Sequence, residues 1–226
     1  MFPKTTKIDG LTIEWVGHSS VAIYGDKNIY IDPFSEVIGE QPQSADLIIS
    51  THTHRDHFDV EAINKITKAE TYVLVKSGSN KEKLISRNIL EIEINETKLI
   101  DKIEIKSVHA YNIKRFRSPG VPFHPEGFGM GVLLKMENLK FYYAGDTDFI
   151  EPMVSLKSEK IDVAFLPIGG TYTMDISDAV EAVIAIQPRR VIPVHYNHIK
   201  GTEADPVAFK EEVQKKSKVE VILLSA

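Results

Sequence analysis

The sequence predicts a mixed α+β or α/β protein with two sheets and helices outside them. Short strand-like apolar runs occur in both halves of the 226-residue chain, and each half places helical spacing after its strands. That order fits two sheets better than a regularly alternating parallel fold. With 42% hydrophobic and 26% charged residues, the chain is expected to form one compact domain, residues 1–226.

The first half opens with short strands separated by turns, and the turn GDKN at 25–28 predicts a hairpin. Asp59 is expected to cap a helix over Val60–Thr67, because apolar residues recur behind it at helical spacing. A second helix is expected near Lys81–Ser86. The predicted strands of this half are Leu11–Val16, Val21–Tyr24, Asn28–Ile31, Asp46–Ser50, Thr71–Val75 and Ile89–Ile94.

The second half contains a segment at Ala110–Gly129 without periodicity, whose glycines, prolines and aromatic residues predict an ordered loop. Helical spacing covers Asp178–Ile186, and a last helix is expected to begin at Asp205–Pro206. The predicted strands of this half are Ile103–Val108, Met130–Met136, Leu139–Tyr143, Val163–Leu166, Val191–Val194 and Val219–Leu223.

Composition excludes several classes of function. Cysteine is absent, which rules out disulfides, thiol catalysis and cysteine-ligated metals. The net charge of −5 gives no general attraction to nucleic acid or to anionic lipid. The N-terminus lacks the apolar core of a signal peptide, and no segment approaches the roughly 18 apolar residues of a membrane span. We therefore expect a cytoplasmic protein without a membrane span.

The segment THTHRDH, residues 51–57, concentrates metal-ligand side chains behind an apolar strand. In an extended segment His52 and His54 point the same way, and the following turn projects Asp56 and His57 together. A solvated polar loop, or histidines satisfied within a core, is the alternative for any one of them alone. Similar side chains follow three later strands, at His109, Asp146 and His195.

The motif of two spaced histidines followed by an Asp–His pair, at His52, His54, Asp56 and His57, resembles that of the metallo-β-lactamase fold superfamily. The later residues occupy the order and spacing expected there. The resemblance covers nearly the whole chain and implies a four-layer αββα sandwich. Within the superfamily, WVGHSS at 15–20 and IPVHY at 192–196 resemble metal-dependent hydrolases related to L-ascorbate-6-phosphate lactonase and the phospholipase D acting on N-acylphosphatidylethanolamine.

The resemblance implies two divalent metal ions, zinc first, with manganese, nickel or iron as alternatives. The implied ligand sets are His52, His54 and His109 for one ion and Asp56, His57 and His195 for the other, with Asp146 bridging both. Asp32 would support the site. The implied reaction is the attack of a metal-bound hydroxide on a small ester, lactone or phosphodiester, with Asp56 and Asp146 as the catalytic carboxylates. Asp56 would also shuttle the proton.

Further residues are candidates for substrate contact. The resemblance places His18 near the metal centre, where it either contacts substrate or hydrogen-bonds a turn. His124 in the long loop is a candidate for the mouth of the site, with a solvent-facing histidine as the alternative. Thr171 and Tyr172 follow two glycines in a turn that would either steady an oxyanion or serve packing alone.

The expected partner is a small-molecule substrate, and three cations in the long loop slightly favour an anionic one. These cations are Lys114, Arg115 and Arg117. Solvated surface is the alternative for them. A metal-binding sensor or scaffold is the second functional hypothesis, and a nuclease is the third, disfavoured by the negative net charge. Oligomeric state stays open, with a homo-oligomer as one option.

Overall fold

The protein is described by a computed structural model that covers residues 2–226. The chain forms two compact units. The first comprises the residues up to Glu93 together with Leu224–Ala226, and the second comprises Ile94–Leu223.

The first unit contains, among its described residues, a seven-stranded sheet with strand order β1-β2-β3-β4-β5-β6-β7. Neighbours from β1 to β4 run antiparallel, and those from β4 to β7 run parallel. The strands are β1 (Thr5–Ile8), β2 (Leu11–Gly17), β3 (Ser20–Tyr24), β4 (Ile29–Ile31), β5 (Ala45–Ser50), β6 (Thr67–Lys76) and β7 (Asn88–Ile92).

Helix α1 (Val60–Ile66) connects β5 to β6 in this unit. Its buried residues Ala62, Ile63 and Ile66 recur at helical spacing and share one apolar cluster with Ile48 of β5 and Val73 of β6. Strand β5 lies between two parallel neighbours, β4 and β6. Residues 51–57 follow its carboxyl end directly. The histidine-rich segment therefore follows a buried strand that has hydrogen-bonded neighbours on both sides.

The second unit contains, within the described residues, a seven-stranded sheet of order β16-β15-β14-β13-β12-β9-β8 and a two-stranded hairpin. The strands of the large sheet are β8 (Thr97–Ile100), β9 (Ile103–Ala110), β12 (Gly129–Met136), β13 (Leu139–Tyr143), β14 (Val163–Pro167), β15 (Arg190–Val194) and β16 (Glu220–Val221). The hairpin is β10 (Phe116–Ser118) with β11 (Val121–Pro122). The helices are α2 (Pro152–Ser155), a 3-10 helix (Leu156–Glu159), α3 (Ile176–Ile186) and α4 (Pro206–Lys216).

The predicted fold class is confirmed, since the chain combines two mixed sheets with helices. The capped helix behind Asp59 and the last helix behind Asp205 are also present. The helix expected near Lys81–Ser86 is wrong: the chain makes a turn there, closed by the Leu84 amide on the Lys81 carbonyl oxygen at 3.0 Å. A segment of six residues is too short to form a helix from local propensity alone, because helix nucleation is costly.

Asp59 joins two segments of the first unit. Its Oδ1 accepts hydrogen bonds from the amides of Glu61 and Ala62, and its Oδ2 accepts from the amide and hydroxyl of Ser35. Burial alone would raise the pKa of Asp59, but these hydrogen bonds hold it below its ordinary value.

Replacing Asp59 with alanine is expected to lower the free energy of unfolding by about 1–2 kcal/mol, because the cap and the Ser35 tie are both lost. Urea unfolding measures the change. Asp205→Ala is the matched control, since the side chain of Asp205 caps α4 through the Val207 amide alone. A larger effect from the Asp205 variant would contradict the prediction.

Within residues 2–226, no helix has both the length and the apolar character needed to cross a membrane.

Candidate metal centre

The first unit brings His52 and His54 together, as their alternation in the sequence predicts. His52 Nε2 lies 3.1 Å from His54 Nδ1. Two ligands of one tetrahedral ion, each about 2.0–2.2 Å from it, are about 3.3–3.6 Å apart. The two histidines are thus close to the separation at which they would share one cation.

Asp32 supports this group from the end of β4. Its Oδ2 accepts from the Thr51 hydroxyl at 2.7 Å and lies 2.6 Å from His57 Nδ1, and its Oδ1 accepts from the Thr51 amide at 2.8 Å. The Thr51 oxygen in turn lies 3.1 Å from His52 Nδ1. Because Asp32 and Thr51 occupy the Nδ1 atoms of His57 and His52, both rings keep Nε2 for the site.

Asp56 and His57 form a second pair of donors in the same unit. His57 Nε2 lies 3.4 Å from Asp56 Oδ2, again close to the separation of two ligands on one ion. His18 reaches the same oxygen, with Nε2 at 2.9 Å. His18, Asp56 and His57 all offer ligand atoms within 4.8 Å of one another. The structure therefore places His18 on Asp56, and its turn is tied by the Trp15 indole, which donates to the His18 carbonyl oxygen at 2.8 Å.

In the second unit, Asp146 stands between two histidines. Its Oδ1 lies 3.3 Å from His195 Nε2, and its Oδ2 lies 3.2 Å from His124 Nε2. All three side chains are buried. A carboxylate with each oxygen facing a different imidazole has the form of a bridging ligand. Asp146 and His195 follow β13 and β15, two strands of the large sheet, as predicted.

Asn112 determines which nitrogen of the His124 ring carries the proton. The Asn112 Oδ1 accepts the His124 amide at 2.9 Å and lies 2.8 Å from His124 Nδ1. The Asn112 amide nitrogen donates to the Tyr172 carbonyl oxygen at 3.1 Å, which identifies Oδ1 as the acceptor. His124 Nδ1 must therefore carry the proton, and Nε2 faces Asp146.

His109 is placed differently from the sequence expectation. Its ring contacts Asn95 at 3.2 Å and Glu126 at 3.5 Å, and its side chain is 29% exposed. Histidine His124, which the sequence suggested only for the mouth of the site, occupies the buried position beside Asp146. Loop 111–128 folds back so that the His124 carbonyl oxygen accepts from the Asn112 amide at 2.8 Å, an arrangement that spacing along the chain does not reveal.

Backbone conformation around these residues is strained. His18, Asp32 and His195 have positive φ angles of 48°, 49° and 57°. Such conformations cost of order 1–3 kcal/mol each in residues other than glycine, and they concentrate at functional sites. Gly169 meets a different demand, because a β-carbon there would lie 2.3 Å from the His195 carbonyl oxygen. The glycine in the sequence IGGT thus lets the loop pass close behind His195.

Thr171 and Tyr172 make contacts within the fold. The Thr171 hydroxyl donates to the Gly201 carbonyl oxygen, and the Tyr172 ring packs edge-on against Phe123 at 4.9 Å. These contacts fit the packing alternative for this turn, and an oxyanion role for it stays a prediction.

The cations of the long loop are largely neutralised. Lys114 Nζ lies 2.7 Å from Asp178, and the Arg115 guanidinium pairs with Asp148, Asp175 and Asp178. Burial alone would raise the pKa of Asp178, but the hydrogen bonds from Lys114 and Arg115 hold it below its ordinary value. Two of the three charges expected to recruit an anionic substrate are therefore already paired with carboxylates.

Comparisons with known proteins identify the family of this chain. A family model described as a beta-lactamase superfamily domain matches residues 12–195. The chain belongs to the β-lactamase superfamily. It is 36% identical over 221 residues, 93% of this chain and 95% of the relative, to a protein of Pyrococcus furiosus named UPF0173 metal-dependent hydrolase. A protein of Thermoplasma acidophilum with the same family name is 35% identical over 213 residues, 90% of this chain and 91% of the relative.

Solved structures extend the similarity to the fold. The crystal structure of a candidate metal-dependent hydrolase from Parabacteroides distasonis matches with a TM-score of 0.81 and 31% identity, covering 98% of both chains. A metallo hydrolase from Ignicoccus hospitalis, at 24% identity, matches with a TM-score of 0.75 over 95% of both chains and supports the fold alone. The superfamily and the mixed-sheet fold predicted from the sequence are both confirmed.

Two contributors were not identified from the sequence. Asn112 could not be identified as a site residue from the sequence, because asparagine is common at the start of loops. For Arg115 the sequence predicts only a loop cation that recruits an anionic substrate or belongs to a solvated surface. An arginine with an 11% exposed side chain that pairs with three aspartates spread over thirty residues of sequence is a tertiary feature, and no local pattern indicates it.

Proposed function

We propose that this metal-dependent hydrolase of the metallo-β-lactamase superfamily holds two divalent ions and cleaves a small ester, lactone or phosphodiester. The proposed ligands are His52, His54, Asp56, His57, His124, Asp146 and His195. Asp146 is the shared ligand. His124 takes the role that the sequence suggested for His109. Nitrogen and carboxylate ligands without sulfur suit zinc or manganese.

One observation carries the proposal: His57 and His124 each turn Nε2 toward a carboxylate while Nδ1 is committed to an oxygen acceptor. An imidazole whose Nδ1 carries the proton presents a lone pair at Nε2, and a carboxylate oxygen facing it also presents a lone pair. Either a second proton on the ring or a shared metal ion would separate these lone pairs. The separations of 3.2–3.4 Å between the ligand atoms are close to those of two ligands on one ion, which supports the metal.

Divalent ions in such a site lower the pKa of water to about 7 and polarise the bond to be cleaved. The protein's own side chains would orient the metal ligands and transfer the proton. His18 fixes the Asp56 carboxylate through its hydrogen bond at 2.9 Å, so Asp56 is held where it can take up and release a proton. Asp32 keeps His57 in the tautomer that a ligand needs.

The substrate is proposed to be a small molecule whose recognition does not depend on the cations of the long loop. Lys114 and Arg115 are paired with carboxylates, and the Arg117 guanidinium donates to the Phe123 carbonyl oxygen at 3.1 Å. A search for substrates should accordingly include uncharged esters and lactones beside phosphodiesters.

The test is elemental analysis of untagged protein, comparing the wild type with His124→Ala and His109→Ala. We expect about two equivalents of zinc or manganese in the wild type and in the His109 variant, and fewer in the His124 variant. The two histidines lie fifteen residues apart in the same unit, which makes the pair a matched comparison. Metal loss in the His109 variant alone would contradict the proposed ligand set.

The catalytic part is tested by a screen over esters, lactones and phosphodiesters, with and without chelator. Hydrolysis that disappears with chelator and returns with zinc or manganese is expected. Two bound ions without hydrolysis of any of these substrates would favour a metal-binding sensor instead.

A further inference from the structure

Loop 111–128 carries His124 but contributes few strands or helices to hold it. Apart from the short hairpin of β10 and β11, its residues have no regular structure. A ligand on such a loop needs other contacts to fix it, because a metal site loses affinity when its ligands are not held in place. The structure shows where those contacts are.

Asp148 supplies the first of them. It is fully buried, two residues beyond Asp146, and its Oδ2 accepts the amides of Ile113 and Lys114, both at 2.6 Å. The Asp148 amide in turn donates to the Tyr111 carbonyl oxygen at 3.0 Å. The start of the loop is thus wrapped around the segment that contains Asp146.

Arg115 completes the anchor. Its Nη1 donates to Asp148 Oδ1 at 3.0 Å and also to Asp178, and its Nη2 donates to Asp175 at 2.8 Å. Its Nε donates to the Gly170 carbonyl oxygen at 3.0 Å. One planar side chain, 11% exposed, therefore ties the loop to the Asp146–Asp148 segment, the turn behind His195 and the first turn of α3.

The part of the loop just before His124 is also hydrogen-bonded to Arg115. The Arg115 carbonyl oxygen accepts the amide of Phe123 at 3.2 Å, one residue before His124. His124 is then held by hydrogen bonds with Asn112, near the start of the loop. A displacement of Arg115 would accordingly move both the start of the loop and the part before His124, and these two parts position the His124 ring.

We propose that Arg115 is a positioning residue of the metal centre, which acts through His124 by holding loop 111–128 against Asp148. The inference rests on the proposed function, in which His124 is a ligand. It assigns the arginine a structural task in metal binding in place of the recruitment of an anionic substrate. Lysine cannot replace it, because an ammonium group lacks the planar fork that reaches three carboxylates and a carbonyl oxygen.

The experiment measures zinc affinity by chelator competition for the wild type, Arg115→Lys, Arg115→Ala and Arg117→Ala. We expect both Arg115 variants to bind the more weakly held ion about 10–100-fold less tightly, as when a residue supporting a ligand is lost. Arg117→Ala removes an exposed arginine of the same loop that donates one hydrogen bond, to the Phe123 carbonyl oxygen, and it is expected to lower the affinity far less than either Arg115 variant. Wild-type affinity in Arg115→Lys and Arg115→Ala would overturn the proposal.

A double-mutant comparison separates action through His124 from general destabilisation. Arg115→Lys combined with His124→Ala is expected to bind zinc no more weakly than His124→Ala alone, because the ligand being positioned is already missing. Additive losses would show that Arg115 acts by another route and would overturn the proposal.

Hydrogen exchange of the metal-free protein gives a readout independent of metal binding. Arg115→Lys is expected to lose amide protection within residues 111–128, whereas Arg117→Ala, which removes a single exposed hydrogen bond to Phe123, is expected to lose much less. Unchanged exchange in the Arg115 variant would overturn the anchoring step. If the wild type binds no metal while the loop still loses protection, the proposed function fails and the anchor alone stands.

Discussion

Replacing Asp146 with alanine is expected to remove at least one of the two proposed metal ions and to bring hydrolysis down to the background level. Each of its carboxylate oxygens faces a different histidine, His195 at 3.3 Å and His124 at 3.2 Å, so the substitution takes a ligand from both ions at once. Without a complete site the pKa of the water would rise from about 7 toward its value in bulk solvent. Elemental analysis and chelator-sensitive hydrolysis measure the two effects.

Asp162→Ala is the control for this prediction. Asp162 is a carboxylate of the same unit that accepts the Lys140 amide at 3.0 Å and pairs with Arg189 at 3.1 Å. Its replacement should lower stability by about 1 kcal/mol and leave the metal content unchanged. If the Asp146 variant keeps its full metal content, the bridging role is wrong.

Replacing Asp32 with asparagine is expected to lower the affinity for one metal ion about 10–100-fold while the protein still folds. Asparagine has the same shape and tolerates the left-handed conformation that residue 32 adopts, with φ of 49°. Its amide, however, offers only one oxygen to three donors, the Thr51 amide, the Thr51 hydroxyl and His57 Nδ1. In one of these contacts the asparagine NH2 group then faces another donor, so no hydrogen bond forms there. The His57 ring loses its fixed orientation as a result.

Zinc affinity by chelator competition measures the effect of Asp32→Asn, with Asp46→Asn as the matched control. Asp46 lies in the same unit and accepts the Asn28 amide and Lys68 at 2.8 Å each. The control should alter stability slightly and metal affinity not at all. Equal affinity in the Asp32 variant and the wild type would show that the aspartate only supports the fold.

Much of the candidate site could be predicted from sequence because its parts are local or end a strand. His52, His54, Asp56 and His57 lie within seven residues behind the buried run of β5, and alternation along an extended segment indicates which side chains point together. Asp146 and His195 follow strands that read as apolar runs. Parallel strands of one sheet bring their carboxyl ends to the same edge, so these positions follow from periodicity.

The third histidine is different, because the resemblance implies His109 as the ligand and leaves His124 at the mouth of the site. Their distinction depends on how loop 111–128 folds back on itself, which places Asn112 against the backbone and ring of His124. A loop without periodicity has no repeating pattern from which that path can be read. The proposed choice of His124 as the third histidine ligand therefore rests on long-range hydrogen bonds.

The sequence by itself determined the superfamily, through the resemblance of its histidine–aspartate motif. It also determined the mixed sheets and the group of candidate ligands that follows β5, since these depend on local periodicity and on side-chain chemistry. Tertiary structure alone decided that His124 lies beside Asp146 and that Arg115 is an anchor for the loop instead of a surface charge. The physical reason is common to both. A buried polar group must be matched by partners wherever they lie in the chain, and only the folded backbone brings those partners within hydrogen-bonding distance.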